Sequence, residues 1–406
     1  MVSAHEAAIL SIPAGQGRCM RALLYAEIRK SWKAKRFLVS VLAFLCFFAA
    51  VYAIALKKER AYGDALVMQL HYENPVADNQ CQTLMYNLQR TPKEEEAPKQ
   101  REEAYLWCDI QYATSSWTNM QLSPEYFDWH DTVRYAKERA LGYQKLQELG
   151  LSMDMVKELG ITKDTLHRDH TYYAYFLNHD IKPYTSPYEP TLLNFLMQVV
   201  QQDTMLLLLL VVGVLMADQI CHDFESGTYK LIYSMPIFRG TLLIAKLLTA
   251  SFVILLSFTM ALLLFSILPL LQHGLGSMQY PYIVRSYEVS TWSSLMIKAV
   301  PLSMLVVLCY MCAAAWLASW QKTLSNTLLC IGSLLLVIYF MMRIFGNSSL
   351  LFSWIPFFYL HPLEIAAQEY AANSTLCMMM CALWLPLLFV GTIHVINRSD
   401  LEGGMR

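Results

Sequence analysis

Charged residues are scarce in this sequence. Asp, Glu, Lys and Arg make up 16% of the 406 residues, whereas a soluble domain carries roughly 25%. Several catalytic signatures are also missing, since the chain contains no GxxxxGK loop followed by Ser or Thr, no HExxH and no GxSxG. We therefore expect no ATP hydrolysis, zinc-protease or α/β-hydrolase chemistry in this chain. We assign no catalytic residue and no metal site.

The charges that remain are spread unevenly, because several long stretches have almost none. Apolar runs of about 18 or more residues predict membrane helices, and a helix satisfies the backbone hydrogen bonds that lipid cannot. Six spans are predicted, at 37–56, 191–217, 247–271, 296–318, 325–345 and 376–396. The first starts well inside the chain and lacks a cleavage site, so it does not resemble a signal peptide. The expected fold class is an all-α polytopic membrane protein with six transmembrane helices.

Basic residues predict how these spans are oriented. Between Arg18 and Arg36 there are seven Lys or Arg and one acid, which favours a cytoplasmic N-terminus. Three basic residues directly after the first span argue for the opposite orientation, but they are fewer. Six spans then return the tail, 397–406, to the cytoplasm. Segment 1–36 is expected to contain either an amphipathic interfacial helix or only a basic flank that sets the orientation.

A large insertion separates the first two spans. Residues 57–190 carry 15 Lys or Arg and 21 Asp or Glu, a net charge of −6, while the rest of the chain carries +5. Apolar residues recur there at helical spacing, without strand-like alternation or repeats, and predict an extracytoplasmic helical domain. Cys81 and Cys108 are the only cysteines on this side of the membrane. Either they form a disulfide that joins the two helices of a hairpin, or they are two small buried residues.

The loop between the second and third spans, 218–246, has a distinctive order of residues. It contains "CHDFESGTYKLIYSMPIFRGTLLIAK", in which an acid-rich turn with Gly-Thr precedes an amphipathic stretch that ends near Ser-x-Pro, followed by Arg and Lys. In this order the loop resembles the first cytoplasmic loop of the permease subunits of type-2 ABC exporters. The resemblance extends over the membrane part of the chain, from the basic lead-in to the last span, but the insertion matches no motif.

The resemblance implies that this loop is a coupling helix, which transmits motion from a separate ATP-binding subunit. The corresponding residues are Asp223, Glu225, Gly227, Thr228, Leu231, Ile232, Met235, Pro236, Arg239 and Lys246. Leu231, Ile232 and Met235 can form an apolar ridge that enters a cleft of the partner. Gly227 allows a tight turn, Thr228 can cap the helix that follows, and Pro236 ends that helix. The two cations hold phosphate headgroups or acidic partner groups. The alternative is a loop that only turns the chain.

The resemblance has further implications for partners and cargo. ATP and Mg would be bound by an ABC ATPase subunit, with no cofactor and no nucleic acid on this chain. Six spans make one half of such a transporter, so a homodimer or a second similar permease is implied, in a bacterial plasma membrane. Segment 347–375 is expected to form outer re-entrant or interfacial helices, or else an amphipathic loop. The cargo would be an amphipathic or hydrophobic molecule, such as a peptide or antimicrobial.

Polar residues interrupt the second span. The uninterrupted run from Thr204 to Ala217 has 14 residues, or roughly 21 Å at the helical rise, which is shorter than the hydrocarbon core of about 30 Å. Gln201, Gln202 and Asp203 therefore either face a translocation pathway or lie in the headgroup zone beside a tilted span.

Two other classes of function compete with transport. A sensor or immunity protein would couple ligand binding to an ATPase without net transport. A membrane-embedded enzyme would need a site such as a metal on His167, His170 and His179, which this Tyr-rich stretch favours only weakly.

Overall fold

The computed structural model describes residues 16–33, 35–90, 98–122, 126–150, 162–184, 186–228, 239–284, 288–345, 354–368 and 373–403. These residues are mostly α-helical. In chain order the helices are α1 (Gln16–Lys33), α2 (Arg36–Arg90), α3 (Pro98–Leu122), α4 (Trp129–Glu148), α5 (Lys163–His179), α6 (Leu192–Val199), α7 (Gln202–Glu225), α8 (Arg239–His273), α9 (Trp292–Gln321), α10 (Leu324–Phe345), α11 (Pro362–Ala366) and α12 (Ser374–Gly403). Two strands, β1 (Pro281–Ile283) and β2 (Val289–Thr291), and a 3₁₀ turn (Pro356–Phe358) complete the described elements.

Six of the described helices contain a segment long and apolar enough to cross a membrane. The candidate spans are Arg36–Arg90, Asp203–Glu225, Ile244–His273, Trp292–Gln321, Leu324–Ile344 and Ser374–Val395. The predicted fold class, an all-α polytopic protein with six spans, is confirmed.

The chain divides into two compact units. The membrane unit consists of the residues up to Ala53 together with Phe195–Gly274 and Met296–Arg406, and the insertion unit consists of Ile54–Asn194 and Leu275–Leu295. The insertion unit thus includes a segment between the third and fourth spans that the sequence left unassigned.

The helix that contains the first predicted span, 37–56, does not end near residue 56. Helix α2 runs without a break for 55 residues and contains Pro75, so the predicted span and the start of the predicted insertion are one helix. At 1.5 Å per residue its length is roughly 82 Å, well beyond the thickness of a bilayer. A change from apolar to polar composition marks where a helix leaves lipid, but it does not end the helix.

The second span, predicted as one segment over 191–217, consists of two helices. Between α6 and α7 the backbone departs from helical geometry at Val200 and Gln201. A helix end leaves carbonyl groups without helical partners. The buried Thr204 hydroxyl donates to the Gln201 carbonyl at 2.9 Å and also to that of Gln198, so a side chain stabilises the break.

In the insertion unit, a β-hairpin packs on the aromatic face of α5. Strands β1 and β2 are antiparallel, with Tyr282 opposite Ser290. Tyr280, directly before β1, stacks on Tyr184 with ring centroids 3.9 Å apart, and its hydroxyl lies 2.9 Å from that of Tyr172 on α5. This hairpin lies outside the predicted insertion at 57–190, and no pattern in the sequence indicated it, because three-residue strands are too short to produce visible alternation.

A buried ion pair joins α2 to α4 in the same unit. Arg139 donates to Glu73 from Nε at 2.6 Å and from Nη2 at 3.1 Å, and the Tyr143 hydroxyl donates to the same carboxylate at 3.1 Å. Glu73 and Arg139 are 0% and 2% exposed. Burial lowers the pKa of Arg139, but the adjacent Glu73 carboxylate outweighs this and raises it above its usual value. The Arg139 guanidinium therefore stays protonated inside the unit.

The two cysteines of the insertion form a disulfide in the structure. Cys81 on α2 and Cys108 on α3 have Cα atoms 4.8 Å apart and close a loop with a sequence separation of 27 residues. Residues 91–97 of the intervening "TPKEEEAPKQ" stretch lie outside the described part of the chain.

Short elements fill part of the predicted re-entrant segment. The 3₁₀ turn and α11 are followed by α12, and residues 359–361 between them are buried. The Phe357 ring lies 6.1 Å from that of Trp384, which is ten residues into α12, or about 15 Å along its axis. The assignment of 347–375 to re-entrant or interfacial helices stays a prediction.

Candidate functional site

The candidate site lies at the C-terminal end of α7, around Asp223. This carboxylate is 2% exposed and binds two ammonium groups, Lys30 of α1 at 2.5 Å and Lys246 of α8. An acid near a helix C-terminus is disfavoured by the helix dipole, and a buried carboxylate needs charged partners. Both costs are offset by the lysines, so one side chain holds three helices together.

A second set of contacts joins α7 to the start of the first span. Arg36, the first residue of α2, donates to Gln219 at 3.0 Å, and its Nε lies 3.7 Å from a carboxylate oxygen of Asp218. These groups lie one turn before Asp223 on α7, so the contacts extend the connection along the same helix end.

The last turn of α7 also contacts α10. Glu225 accepts a hydrogen bond at 2.7 Å from the backbone N–H of Leu324, the first residue of α10, where a carboxylate is favoured by the helix dipole. Nearby, the Cys221 thiol lies 3.4 Å from the Thr327 hydroxyl. The end of α7 therefore contacts α1, α2, α8 and α10, and the contacting residues all belong to the membrane unit.

The chain leaves this cluster through a tight turn. Gly227 has φ of +69°, a conformation that favours glycine, as the predicted turn requires. The Thr228 hydroxyl lies 3.4 Å from both the backbone carbonyl and the carboxylate of Asp223. The hydroxyl therefore contacts the end of α7, and the predicted role of Thr228 as the cap of a following helix stays a prediction, since residues 229–238 lie outside the described part of the chain.

The structure describes only some of the remaining predicted loop residues. Residues 229–238, which include Leu231, Ile232, Met235 and Pro236, lie outside the described residues, as does the side chain of Arg239 at the start of α8. The Lys246 ammonium binds Asp223, and its contact with a headgroup or an acidic partner group stays a prediction. Asp223 and Glu225 belong to a helix end and not to a loop.

The polar residues of the second span surround its break. Gln201 lies in the break and Asp203 is exposed near the start of α7, while the side chain of Gln202 is outside the described part. Their assignment to a translocation pathway stays a prediction.

The histidines considered for a metal lie on α5. The His179 ring nitrogen Nδ1 lies 3.0 Å from the Tyr175 carbonyl oxygen. Across the described ranges, no group of three or more His, Cys, Asp or Glu is arranged to hold a metal ion.

Sequence reasoning missed the partners of Asp223. Lys30 precedes Asp223 by 193 residues, and a basic residue before a first span normally indicates only orientation. The one available signal was an acid at the lipid boundary, where an unpaired charge is costly.

The fold defines a class, the polytopic α-helical membrane proteins. The family follows from comparison with known proteins. A family profile described as ABC-2 family transporter protein matches residues 21–353, and the chain belongs to this family. Searches against curated proteins and solved structures returned no significant match.

Proposed function

We propose that this chain is the membrane-spanning permease subunit of an ABC exporter, and that residues 229–238 dock onto a separate ABC ATPase. The observation that carries the proposal is the Asp223 cluster. It lies directly before the proposed docking segment, and Lys246 of the same cluster lies shortly after it.

The cluster explains how motion of the docking segment would reach the membrane. A displacement transmitted to the end of α7 would act on α1 and α8 through the two lysines, and on α10 through Glu225. Coupling of this kind needs contiguous elements that move together. The break at Val200 and Gln201 gives the other end of α7 a place to pivot.

ATP and Mg would be bound by the ATPase, since this chain has no phosphate-binding loop. We infer two permeases per transporter, identical or similar, in the plasma membrane of a bacterium with both termini cytoplasmic. The basic lead-in supports that orientation. The cargo we infer is amphipathic or hydrophobic, of the peptide or antimicrobial kind. Exposed tyrosines of the insertion unit, which present both an apolar ring and a polar hydroxyl, support contact with such molecules.

A test of docking co-expresses the chain with each ABC ATPase subunit encoded in the same genome and purifies the chain by a tag. Leu231→Ser combined with Ile232→Ser is expected to abolish co-purification, because it removes the apolar ridge. The matched control is Leu401→Ser, in the tail on the same predicted side, which should co-purify normally. Equal recovery of the ATPase with the double variant would contradict the proposal.

A second variant tests transmission apart from docking. Asp223→Asn should still bind the ATPase but lower cargo-stimulated hydrolysis about tenfold, since it weakens two charged hydrogen bonds. Asp218→Asn, on the same helix end but 44% exposed, should have little effect. ATP hydrolysis without cargo movement in proteoliposomes would support the sensor or immunity function instead.

A further inference from the structure

A cavity lies among three membrane helices of the membrane unit, away from the Asp223 cluster. Its volume is about 580 Å³, in the range of small-molecule sites. It is formed by α9, α10, α12 and the 3₁₀ turn, and its lining residues are Ala313, Trp316, Leu317, Cys330, Ser333, Leu334, Val337, Phe357, Trp384, Leu387, Leu388 and Gly391. Every helical lining residue falls within a candidate membrane span.

The chemistry of the lining selects an apolar occupant. No lining residue is charged. The Ser333 hydroxyl donates to the Cys330 carbonyl at 2.9 Å, and the Trp384 indole N–H donates to the Trp354 carbonyl at 3.1 Å. These two donors bond within the protein, so the lining offers a polar ligand little beyond the indole N–H of Trp316. Such a ligand would lose most of its hydration without compensation, whereas a hydrocarbon chain has no hydrogen bonds to lose.

The cavity opens toward the surroundings of the helix bundle. Leu387 at its edge is 57% exposed, while Ala313 at its inner end is 3% exposed. Because the helical lining residues fall within candidate spans, we infer that lipid tails surround this opening. A helix with its side chains is about 10–12 Å across, so a cavity of about 580 Å³ would hold little more than one helical turn. A single flexible chain fits it better than a helix of a second copy.

We propose that this cavity is a binding site for one acyl chain of a bilayer phospholipid. The acyl chain would lie between Trp316 and Trp384 and contact Phe357 of the 3₁₀ turn. The site would thereby connect the packing of that turn to the composition of the membrane. The inference does not depend on the proposed docking of an ATPase.

The test uses the full chain in phosphatidylcholine nanodiscs containing a phosphatidylcholine with a diazirine at the end of one acyl chain. After illumination, adducts are mapped by mass spectrometry. We expect them to concentrate on peptides covering 313–317, 330–337 and 384–391. Gly391→Leu should lower that yield about tenfold, because its side chain would enter the cavity. The matched control, Leu329→Phe, changes a residue of α10 that is 73% exposed and outside the lining, and should leave the yield unchanged.

Other outcomes overturn the proposal. Equal labelling of lining residues and of lipid-facing positions such as Leu329 and Met379 would show only general contact with the bilayer. Cross-links to peptides of a second copy would identify a protein interface. Loss of the adducts on adding free palmitic acid at low concentration would identify a fatty-acid site. If Gly391→Leu fails to fold, Ser333→Phe provides a second blocked variant, and the map from the unaltered chain decides in either case.

Discussion

Replacing Glu73 by Leu should destabilise the insertion unit strongly. The substitution leaves the Arg139 guanidinium, 2% exposed, without the carboxylate that accepts two of its hydrogen bonds, and it removes the acceptor of Tyr143. Breaking a buried pair from one side costs about 3–5 kcal/mol. With a factor of ten for every 1.4 kcal/mol, local opening should become about 100-fold to about 4,000-fold more frequent.

Hydrogen exchange with mass spectrometry on the full chain measures this opening directly in peptides of α4. The double variant Glu73→Leu, Arg139→Met should recover most of the lost protection, because an apolar pair of similar volume needs no compensation. The control is Glu138→Leu, which removes a partner of the exposed Arg134 and should cost less than about 1 kcal/mol. A cost for Glu73→Leu as small as the control's, or no recovery in the double variant, would refute the reasoning.

Two further predictions concern the same unit. Replacing Cys81 and Cys108 by Ala opens a loop with a sequence separation of 27 residues and should lower the stability of the unit by about 3.5 kcal/mol in the chain-entropy model. A free energy of opening in α3, measured by hydrogen exchange, that stays within about 1 kcal/mol of that of the unaltered chain would contradict this. His130 bonds Asp128 and Asp180, and these hydrogen bonds raise its pKa. The stability that this bridge contributes is therefore complete below the unfolded pKa of about 6.5 and is lost as pH rises through the higher folded pKa. Exchange at the C-terminal end of α5, corrected for intrinsic rates, should increase over that interval, and His130→Asn should remove the increase; an identical pH profile in the variant would count against the bridge.

Much of the membrane architecture was predictable because it depends on local composition. A run of apolar residues long enough for the bilayer must form a helix there, since lipid supplies no hydrogen bonds to the backbone. The position of the loop between the second and third spans, predicted at 218–246, followed from the spans around it. Its extent did not, because α7 continues to Glu225 and α8 starts at Arg239.

The parts that were not predictable depend on residues far apart in sequence. The Lys30–Asp223 pair joins positions 193 residues apart, and the sequence around neither residue indicates its partner. The Thr204 hydroxyl stabilises the break in the second span, although Thr is also common within helices of membranes. The hairpin at 281–291 is held by aromatic contacts with α5, so tertiary packing and not strand propensity determines it.

The central claim is that the segment around Met235 contacts an external ATPase. Its most direct test places a photoreactive amino acid at position 235 in cells that express both proteins. The account predicts a covalent adduct with the ATPase whose yield changes when hydrolysis is blocked. Labelling of position 235 by an impermeant reagent added outside intact cells, with no adduct to the ATPase, would contradict it.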